Sequence, residues 1–166
     1  YVGAGDRNIY ALSIKNGNVA WKFSADSRMV GSSPLVYRNL VYAGCYSGSL
    51  FAITARNGKL KWKYEMKSPI VTNPVVWGQK IAVAPMNGEI TALNADTGKL
   101  LWKYSTGSKV VLDPVYRNGE IYAAGGRTFY LIDAESGKEK WRMNFESAIK
   151  TAPALVGDDV VMSLKN

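Results

Sequence analysis

The sequence repeats one short motif four times, and this repetition constrains the fold more than any other feature. Each copy starts with an apolar residue, reaches a Gly six positions later and ends in a Trp four positions after the Gly. The copies are Ala11, Gly17 and Trp21; Ala52, Gly58 and Trp62; Ala92, Gly98 and Trp102; and Leu131, Gly137 and Trp141. A period near 40 residues with one Trp-bearing strand per period is typical of β-propeller blades.

Each period reads as four short strands. In the second period, runs rich in β-branched and aromatic residues occupy 33–37, 40–44, 50–54 and 60–64, and turn residues separate them. No segment carries a 3.6-residue apolar period long enough for a helix. The sequence therefore predicts an all-β fold with about four blades of four antiparallel strands. Their expected bounds are a partial blade at 1–23, blades at 32–64, 72–104 and 112–144, and a partial blade at 151–166.

The small residues of the motif have a packing explanation. A Trp on an outer strand needs a flat surface without large side chains, and an Ala together with a bare Gly peptide provides one. Each Trp buries ~150–250 Å², so we expect the motif residues to hold neighbouring blades together. Because Leu131 replaces the Ala of the last copy, we expect a shifted or looser contact at Trp141.

The repeat Ala-x-Asn/Asp-x-x-Thr/Ser-Gly-x-x-x-Trp resembles the tryptophan-docking repeat of the quinoprotein-type, or PQQ-like, β-propellers, over essentially the whole chain. The resemblance implies a propeller of six to eight blades, with the first strand of each blade lining a central channel and the Trp strand outermost. Residues 1–3 align with 42–44, and residues 159–164 align with 39–44, so both chain ends align with second strands. We therefore expect about half of a larger propeller, completed by a longer chain or by a second copy.

The composition removes several kinds of chemistry. The chain has no His and one cysteine, Cys45, which excludes Ser-His-Asp and Cys-His catalysis and an intramolecular disulfide. No apolar run approaches the ~20 residues that a membrane-spanning helix needs. The net charge is +8, but seven of the 21 basic residues directly follow a repeat Trp or Gly. Charges spread over outer strands discourage edge-to-edge pairing, so we do not expect a nucleic-acid partner.

Two sets of residues are candidates for binding a partner or a ligand. The residues before three of the repeat prolines, Ser33, Asn73 and Asp113, are expected at the channel end of the innermost strands. There they could bind a ligand or hydrogen-bond to neighbouring strand ends. The loops that enter those strands each carry a basic residue: Arg28, Lys67, Lys109 and Lys150. One cation per blade would attract an acidic partner or an anionic ligand.

The resemblance leaves more than one function open. PQQ-dependent dehydrogenases of this fold bind the quinone and Ca²⁺ through Glu, Asn and Asp, and many carry paired cysteines or a catalytic His, which this sequence lacks. We therefore favour a non-catalytic scaffold with a protein partner, no cofactor and no metal site. It is closest to the propeller lipoprotein family of the outer-membrane β-barrel assembly machinery, which implies a periplasmic or extracellular location. The alternatives are an oxidoreductase whose catalytic residues lie in other blades, and a ligand-sensing propeller of a signalling protein.

Overall fold

A computed structural model describes residues 1–29 and 31–165, and within those ranges it contains β-strands and no helix. The strands are β1 (Val2–Gly3), β2 (Asn8–Leu12), β3 (Val19–Ser24), β4 (Leu35–Tyr37), β5 (Leu40–Gly44), β6 (Ser49–Thr54), β7 (Leu60–Glu65), β8 (Val75–Trp77), β9 (Lys80–Val83), β10 (Glu89–Asn94), β11 (Leu100–Ser105), β12 (Val115–Arg117), β13 (Glu120–Gly125), β14 (Thr128–Asp133), β15 (Glu139–Asn144), β16 (Ala154–Val156) and β17 (Asp159–Val161). The all-β prediction is confirmed. Nothing in these ranges forms a helix that is long and apolar enough to cross a membrane.

The strands form five antiparallel sheets in which neighbours in the chain are neighbours in space. Three sheets have four strands each, β4 to β7, β8 to β11 and β12 to β15. The first sheet, β1 to β3, supplies the second, third and fourth strands of a blade, and the last, β16 and β17, supplies the first and second. The innermost strand starts one residue after the repeat proline, because proline has no N–H to donate to the ladder.

The Trp strand keeps one register in all four copies of the motif. Its Trp lies opposite the first motif residue, as in the pairs Ala52 with Trp62 and Leu131 with Trp141, and a register shift follows directly. The turn before this strand needs a Gly, because Gly58 and its equivalents have φ of about +71° to +73°.

The apolar core is divided into slabs that lie between successive sheets. In one slab, Tyr42, Leu50 and Trp62 of one blade pack against Ile81 and Leu93 of the next. A second slab joins the following pair of four-stranded sheets, and a third joins β1–β3 to β4–β7. The sheets β4–β7 and β8–β11 have a core on each face, so their middle strands are apolar on both faces. All five residues of β5 are buried, for example.

Antiparallel order gives the blades two distinct ends. The loops from a Trp strand to the next innermost strand share one end with the turns between second and third strands. Their described residues are 25–29 with 31–34, 66–74, 106–114 and 145–153. We call this end of the blades the crossover end. The remaining turns, which include Gly58 and Gly98, lie at the opposite end, the hairpin end.

Candidate functional site

Each of the first three motif tryptophans binds the blade that follows it. The indole N–H groups of Trp21, Trp62 and Trp102 donate to the backbone carbonyls of Ala55, Ala95 and Ala134 over 2.9, 2.9 and 3.1 Å. The same rings lie on the motif glycines of those next blades. A Cβ built on Gly58, Gly98 or Gly137 would meet the ring at 2.8, 2.7 or 2.5 Å. The motif Ala is the cross-strand neighbour of the Trp in its own blade, so the docking surface combines residues of two blades.

Trp141 is the exposed member of the series. It is 44% exposed, whereas Trp62 is 9% exposed. Leu131 lies opposite Trp141 in the register that Ala has in the other copies, so the strand pairing is unchanged and the effect of Leu131 stays a prediction. Trp141 differs because the described sheet that follows its blade has two strands, and neither carries the motif Gly.

The residues before the repeat prolines form a hydrogen-bonded chain from blade to blade. Asp113 accepts two bonds from Asn73, one from the backbone N–H to Oδ1 at 2.7 Å and one from the side-chain amide to Oδ2 at 2.8 Å. Asn73 in turn accepts a 2.6 Å bond from the backbone N–H of Ser33 on its Oδ1. This inner ladder brings together three of the sequence-predicted residues. Their oxygens tie successive blades at a spacing of 40 residues.

The inner ladder does not fit the Ca²⁺ site that the resemblance implied as an alternative. Ca²⁺ requires six to eight oxygen ligands. Both carboxylate oxygens of Asp113 and the amide oxygen of Asn73 already accept hydrogen bonds. Residues 1–29 and 31–165 hold no group of three or more His, Cys, Asp or Glu side chains that could bind a metal. The lack of a cofactor stays a prediction.

The four predicted basic residues are exposed in the loops of the crossover end. Arg28 lies over the ring of Tyr46, with its guanidinium carbon 4.5 Å from the ring centroid. Tyr46 lies in the turn after β5, and its own backbone N–H donates to the carbonyl of Arg28 over 3.1 Å. Lys67 borders a shallow depression that Asp26, Ser49 and Glu65 also line. The structure therefore places these cations at one end without bringing them into contact with one another.

Two acids near these cations, Asp26 and Glu65, share one lysine. Asp26 pairs with Lys63 on the outer strand, with Nζ and Oδ2 2.6 Å apart, and accepts a 2.7 Å hydrogen bond from the Ser49 hydroxyl. Lys63 and then Ser49 hold the pKa of Asp26 below its usual range. Lys63 also pairs with Glu65 over 2.7 Å. Lys63 offsets one of the two carboxylate charges, so one negative charge remains in the depression that Lys67 borders.

Sequence reasoning missed two features of this molecule. One is Tyr46, an aromatic residue that is 38% exposed beside Arg28. It occupies a turn between second and third strands, and only the alternation of strand directions shows that this turn shares an end with the crossover loops. The other is the pairing of outer-strand cations with acids of their own blades. Examples are Lys103 with Glu89 and Lys140 with Glu120, each with an N–O distance of 2.5 Å.

Comparison with known proteins connects this geometry to one family. The family model described as outer membrane protein assembly factor BamB matches residues 1–75 and 68–165. A comparison with curated proteins finds no match.

Several solved structures superpose on the chain. BamB from Moraxella catarrhalis superposes with a TM-score of 0.83 at 20% identity, covering 98% of this chain and 51% of that one. The computationally designed Ika8 protein gives a TM-score of 0.84 at 16% identity, with the same coverage. Quinohemoprotein alcohol dehydrogenase ADHIIG from Pseudomonas putida HK5 gives a TM-score of 0.64 at 27% identity over 69% of this chain and 20% of that chain. This chain thus spans about half the length of the BamB structure.

Proposed function

Because this chain belongs to the family of outer membrane protein assembly factor BamB, we propose that it is a non-catalytic propeller scaffold with a role in outer-membrane protein assembly. In this role it binds a protein partner through the loops of its crossover end. The observation that carries the proposal is the exposure of one basic residue in each crossover loop, at Arg28, Lys67, Lys109 and Lys150.

The loops are suited to binding because the blades hold their backbones. The N–H of Met66 donates to the carbonyl of Gly48 over 2.8 Å, and the N–H of Ile70 donates to that of Cys45 over 3.2 Å. Both bonds join a crossover loop to the neighbouring turn at the same end. A loop that is already ordered loses little conformational entropy when it binds a partner. The crossover end therefore acts as a preformed surface.

The charge of this end favours an acidic partner surface. Lys63 offsets one of the two charges of Asp26 and Glu65, and Arg28, Lys67, Lys109 and Lys150 are exposed to solvent. Such a surface speeds association with an acidic protein and makes the rate fall as salt is added. Arg28 adds a planar guanidinium stacked on Tyr46, and both residue types are enriched at protein interfaces. A partner in the periplasm or at the outer membrane is consistent with the family.

Site-specific cross-linking tests the proposal. A photo-reactive amino acid replaces Lys109 at the crossover end in one variant and Lys99 at the hairpin end in a matched control; both residues are exposed. We expect position 109 to cross-link a protein of the outer-membrane assembly machinery in cells of the source organism, and position 99 not to. Equal cross-linking from both positions, or none from position 109, contradicts the proposal.

The second candidate is a quinone-dependent oxidoreductase. The observation in its favour is the 27% identity to the quinohemoprotein alcohol dehydrogenase, over 69% of this chain. Catalytic residues would then have to come from blades outside these residues, since the inner ladder is engaged in hydrogen bonds. Incubation with PQQ and Ca²⁺, followed by dye-linked oxidation of simple alcohols or sugars, distinguishes the two. Turnover above that of a Ca²⁺-free control would replace the scaffold proposal.

A further inference from the structure

The turn between β13 and β14 is tight and carries a basic residue. It consists of Gly126 and Arg127, because Gly125 pairs directly with Thr128. We call these two residues the arginine turn. The turn lies at the crossover end, and Arg127 is exposed there. The corresponding turns of the other two four-stranded sheets, residues 45–48 and 84–88, carry no basic residue. Arg127 therefore stands at the same end as the four predicted basic residues.

The neighbouring crossover loop holds the arginine turn by its carbonyl groups. The N–H of Phe145 donates to the carbonyl of Arg127, and the N–H of Ile149 donates to that of Gly126, each over 2.9 Å. The N–H groups of Gly126 and Arg127 have no acceptor among the described residues. Successive backbone N–H groups in a turn can bind an anion. The turn thus offers two fixed donors to a ligand.

Basic residues approach the arginine turn from both sides. The carbonyl of Lys109 lies 3.3 Å from a Cβ built on Gly125, and Lys150 directly follows the residue whose N–H holds Gly126. Lys109, Arg127 and Lys150 are all exposed. The ion pairs in the described part of the chain use other cations, which are Lys63, Lys80, Lys103, Lys140 and Arg142. The three cations around the turn are therefore available to a ligand.

The charge around the turn is positive in balance. The two flanking crossover loops carry one acid each, Asp113 and Glu146. Asp113 accepts two hydrogen bonds from Asn73 in the inner ladder. Glu146 is exposed and forms no ion pair with the described residues. Three basic residues thus exceed two acids, and one of the three belongs to the turn with the free N–H groups.

Ser108 adds a hydroxyl without a partner beside the turn. Its Oγ is buried and forms no hydrogen bond with the described residues. It lies 3.9 Å from the point where a Cβ on Gly126 would stand, so it faces space that contains no side chain. Buried polar groups in native proteins are almost always hydrogen-bonded. A ligand oxygen in the space at Gly126 would supply the missing acceptor.

We infer that the arginine turn binds a carboxylate of the protein partner, within a segment of neighbouring Asp or Glu residues. Arg127 and the two free N–H groups contact the carboxylate oxygens, since a guanidinium fits a carboxylate through two parallel hydrogen bonds. Lys109 and Lys150 attract the acids on either side of that carboxylate. This contact rests on the proposed function, and it assigns recognition of the acidic partner to one turn with its two flanking lysines.

Titration with an acidic peptide tests the contact. The intact protein is titrated with a capped hexaglutamate peptide, and the backbone amide signals are followed by NMR. We expect the signals of Gly126 and Arg127 to shift until the site is saturated, and the signal of Lys99 at the hairpin end to stay. A capped hexaglutamine peptide is the control. Shifts that are equal at Gly126 and Lys99, or equal for the two peptides, overturn the inference.

Two variants identify the groups that bind the peptide. Arg127→Gln should weaken binding about tenfold, as expected when hydrogen bonds between charged groups are removed. Arg56→Gln removes the same charge from an exposed position at the hairpin end and should bind normally. Ser108→Ala should weaken binding about threefold without lowering the Tm, because its hydroxyl has no partner to lose in the free protein. Native binding by Arg127→Gln overturns the inference, and a lower Tm with native binding overturns the role of Ser108.

Further titrations identify the class of ligand and separate the two proposals. Inorganic phosphate that binds as tightly as the peptide, or phosphatidylglycerol vesicles that bind through Arg127 when the peptide does not, would overturn the peptide ligand. In cells, the cross-link from position 109 should be lost when Arg127→Gln is added. A cross-link that persists overturns this inference and leaves the scaffold proposal intact. A missing cross-link in the chain with native Arg127 contradicts the scaffold proposal, whereas the peptide titration still decides whether the turn binds carboxylates.

Discussion

At the scale of single residues, the contact between blades depends on a glycine peptide that lies flat against an indole ring. Gly98 combines two requirements, because its φ is +71° and the ring of Trp62 occupies the space where a Cβ would stand. Trp62 adds a hydrogen bond from its N–H to the carbonyl of Ala95 at 2.9 Å. The bond fixes the position of the ring, and the burial of its large apolar surface provides most of the stabilisation.

Substitution of Gly98 by Ala should therefore destabilise the protein beyond the cost of its backbone conformation. Gly107→Ala is the matched control, because Gly107 has φ +70° and no described atom within 4 Å of an added Cβ. Both variants carry the left-handed penalty of about 1–2 kcal/mol. Gly98→Ala should lower the free energy of unfolding by about 1–3 kcal/mol more than Gly107→Ala does, since the ring of Trp62 must move. Urea unfolding followed by Trp fluorescence measures the difference, and equal losses would show that the ring contact contributes nothing.

The alkaline limit of stability is set in part by Tyr42. Its side chain is fully buried, and its hydroxyl donates to the carbonyl of Ala95 over 3.1 Å. Burial raises the pKa of Tyr42 from 10.0 to about 12. The pKa of Tyr42 is higher in the folded chain than in the unfolded chain. Its contribution to the free energy of unfolding is therefore complete below pH ~10. That contribution is lost as the pH rises from ~10 to ~12, at about 1.4 kcal/mol per pH unit.

Tyr42→Phe should reduce the fall in the free energy of unfolding between pH 10 and 12. The variant loses the hydrogen bond to Ala95, so it should be less stable than the native chain at pH 8. The deficit should shrink between pH 10 and 12, because Phe has no proton to lose. Urea unfolding at a series of pH values measures both effects. A constant deficit across that range would show that Tyr42 does not titrate as its burial requires.

At the scale of elements, the inner ladder joins the starts of successive innermost strands. Asp113→Ala removes the acceptor of two bonds from Asn73, so that a half-buried backbone N–H and a side-chain amide lose their partner. We expect a loss of about 1–3 kcal/mol in the free energy of unfolding.

Ser33→Ala is the control for that prediction. Ser33 takes part in the ladder through its backbone N–H, which Ala retains. The Ser33→Ala variant should therefore lose less than about 0.5 kcal/mol in its free energy of unfolding, as ordinary surface substitutions do. Comparable losses in both variants, measured by chemical unfolding, would mean that the two bonds to Asp113 do not stabilise the protein.

Much of this organisation could be predicted from the sequence, because it is repeated. The spacing of Trp21, Trp62, Trp102 and Trp141 predicted the blades, and the strands follow it. The partner of each Trp could not be predicted, because the motif shows the Gly of the same repeat, whereas the ring lies on the Gly of the next one. Pairs such as Lys63 with Asp26 were also missed, since they join residues 37 positions apart and carry no local pattern. The binding roles of Arg28, Lys67, Lys109 and Lys150 stay predictions.

At the scale of the whole molecule, the blades form an array whose two ends differ. The hairpin end carries the motif turns, where Lys59 and Lys99 are exposed, and the crossover end carries Arg28 and Lys109. The overall charge of +8 is shared between both ends, so net charge alone cannot choose a binding surface. The proposed function requires that the position of the basic residues, and not the total charge of the chain, determines partner binding.

The affinity of the cross-linked partner for two double variants tests this claim most directly. Arg28→Glu with Lys109→Glu reverses two charges at the crossover end, and Lys59→Glu with Lys99→Glu makes the same change in net charge at the hairpin end. Calorimetric titration at low and high salt should show at least tenfold weaker binding for the crossover variant at low salt, a smaller effect at high salt, and near-native binding for the hairpin variant. Equal weakening by both variants, or native affinity in the crossover variant, would contradict the account.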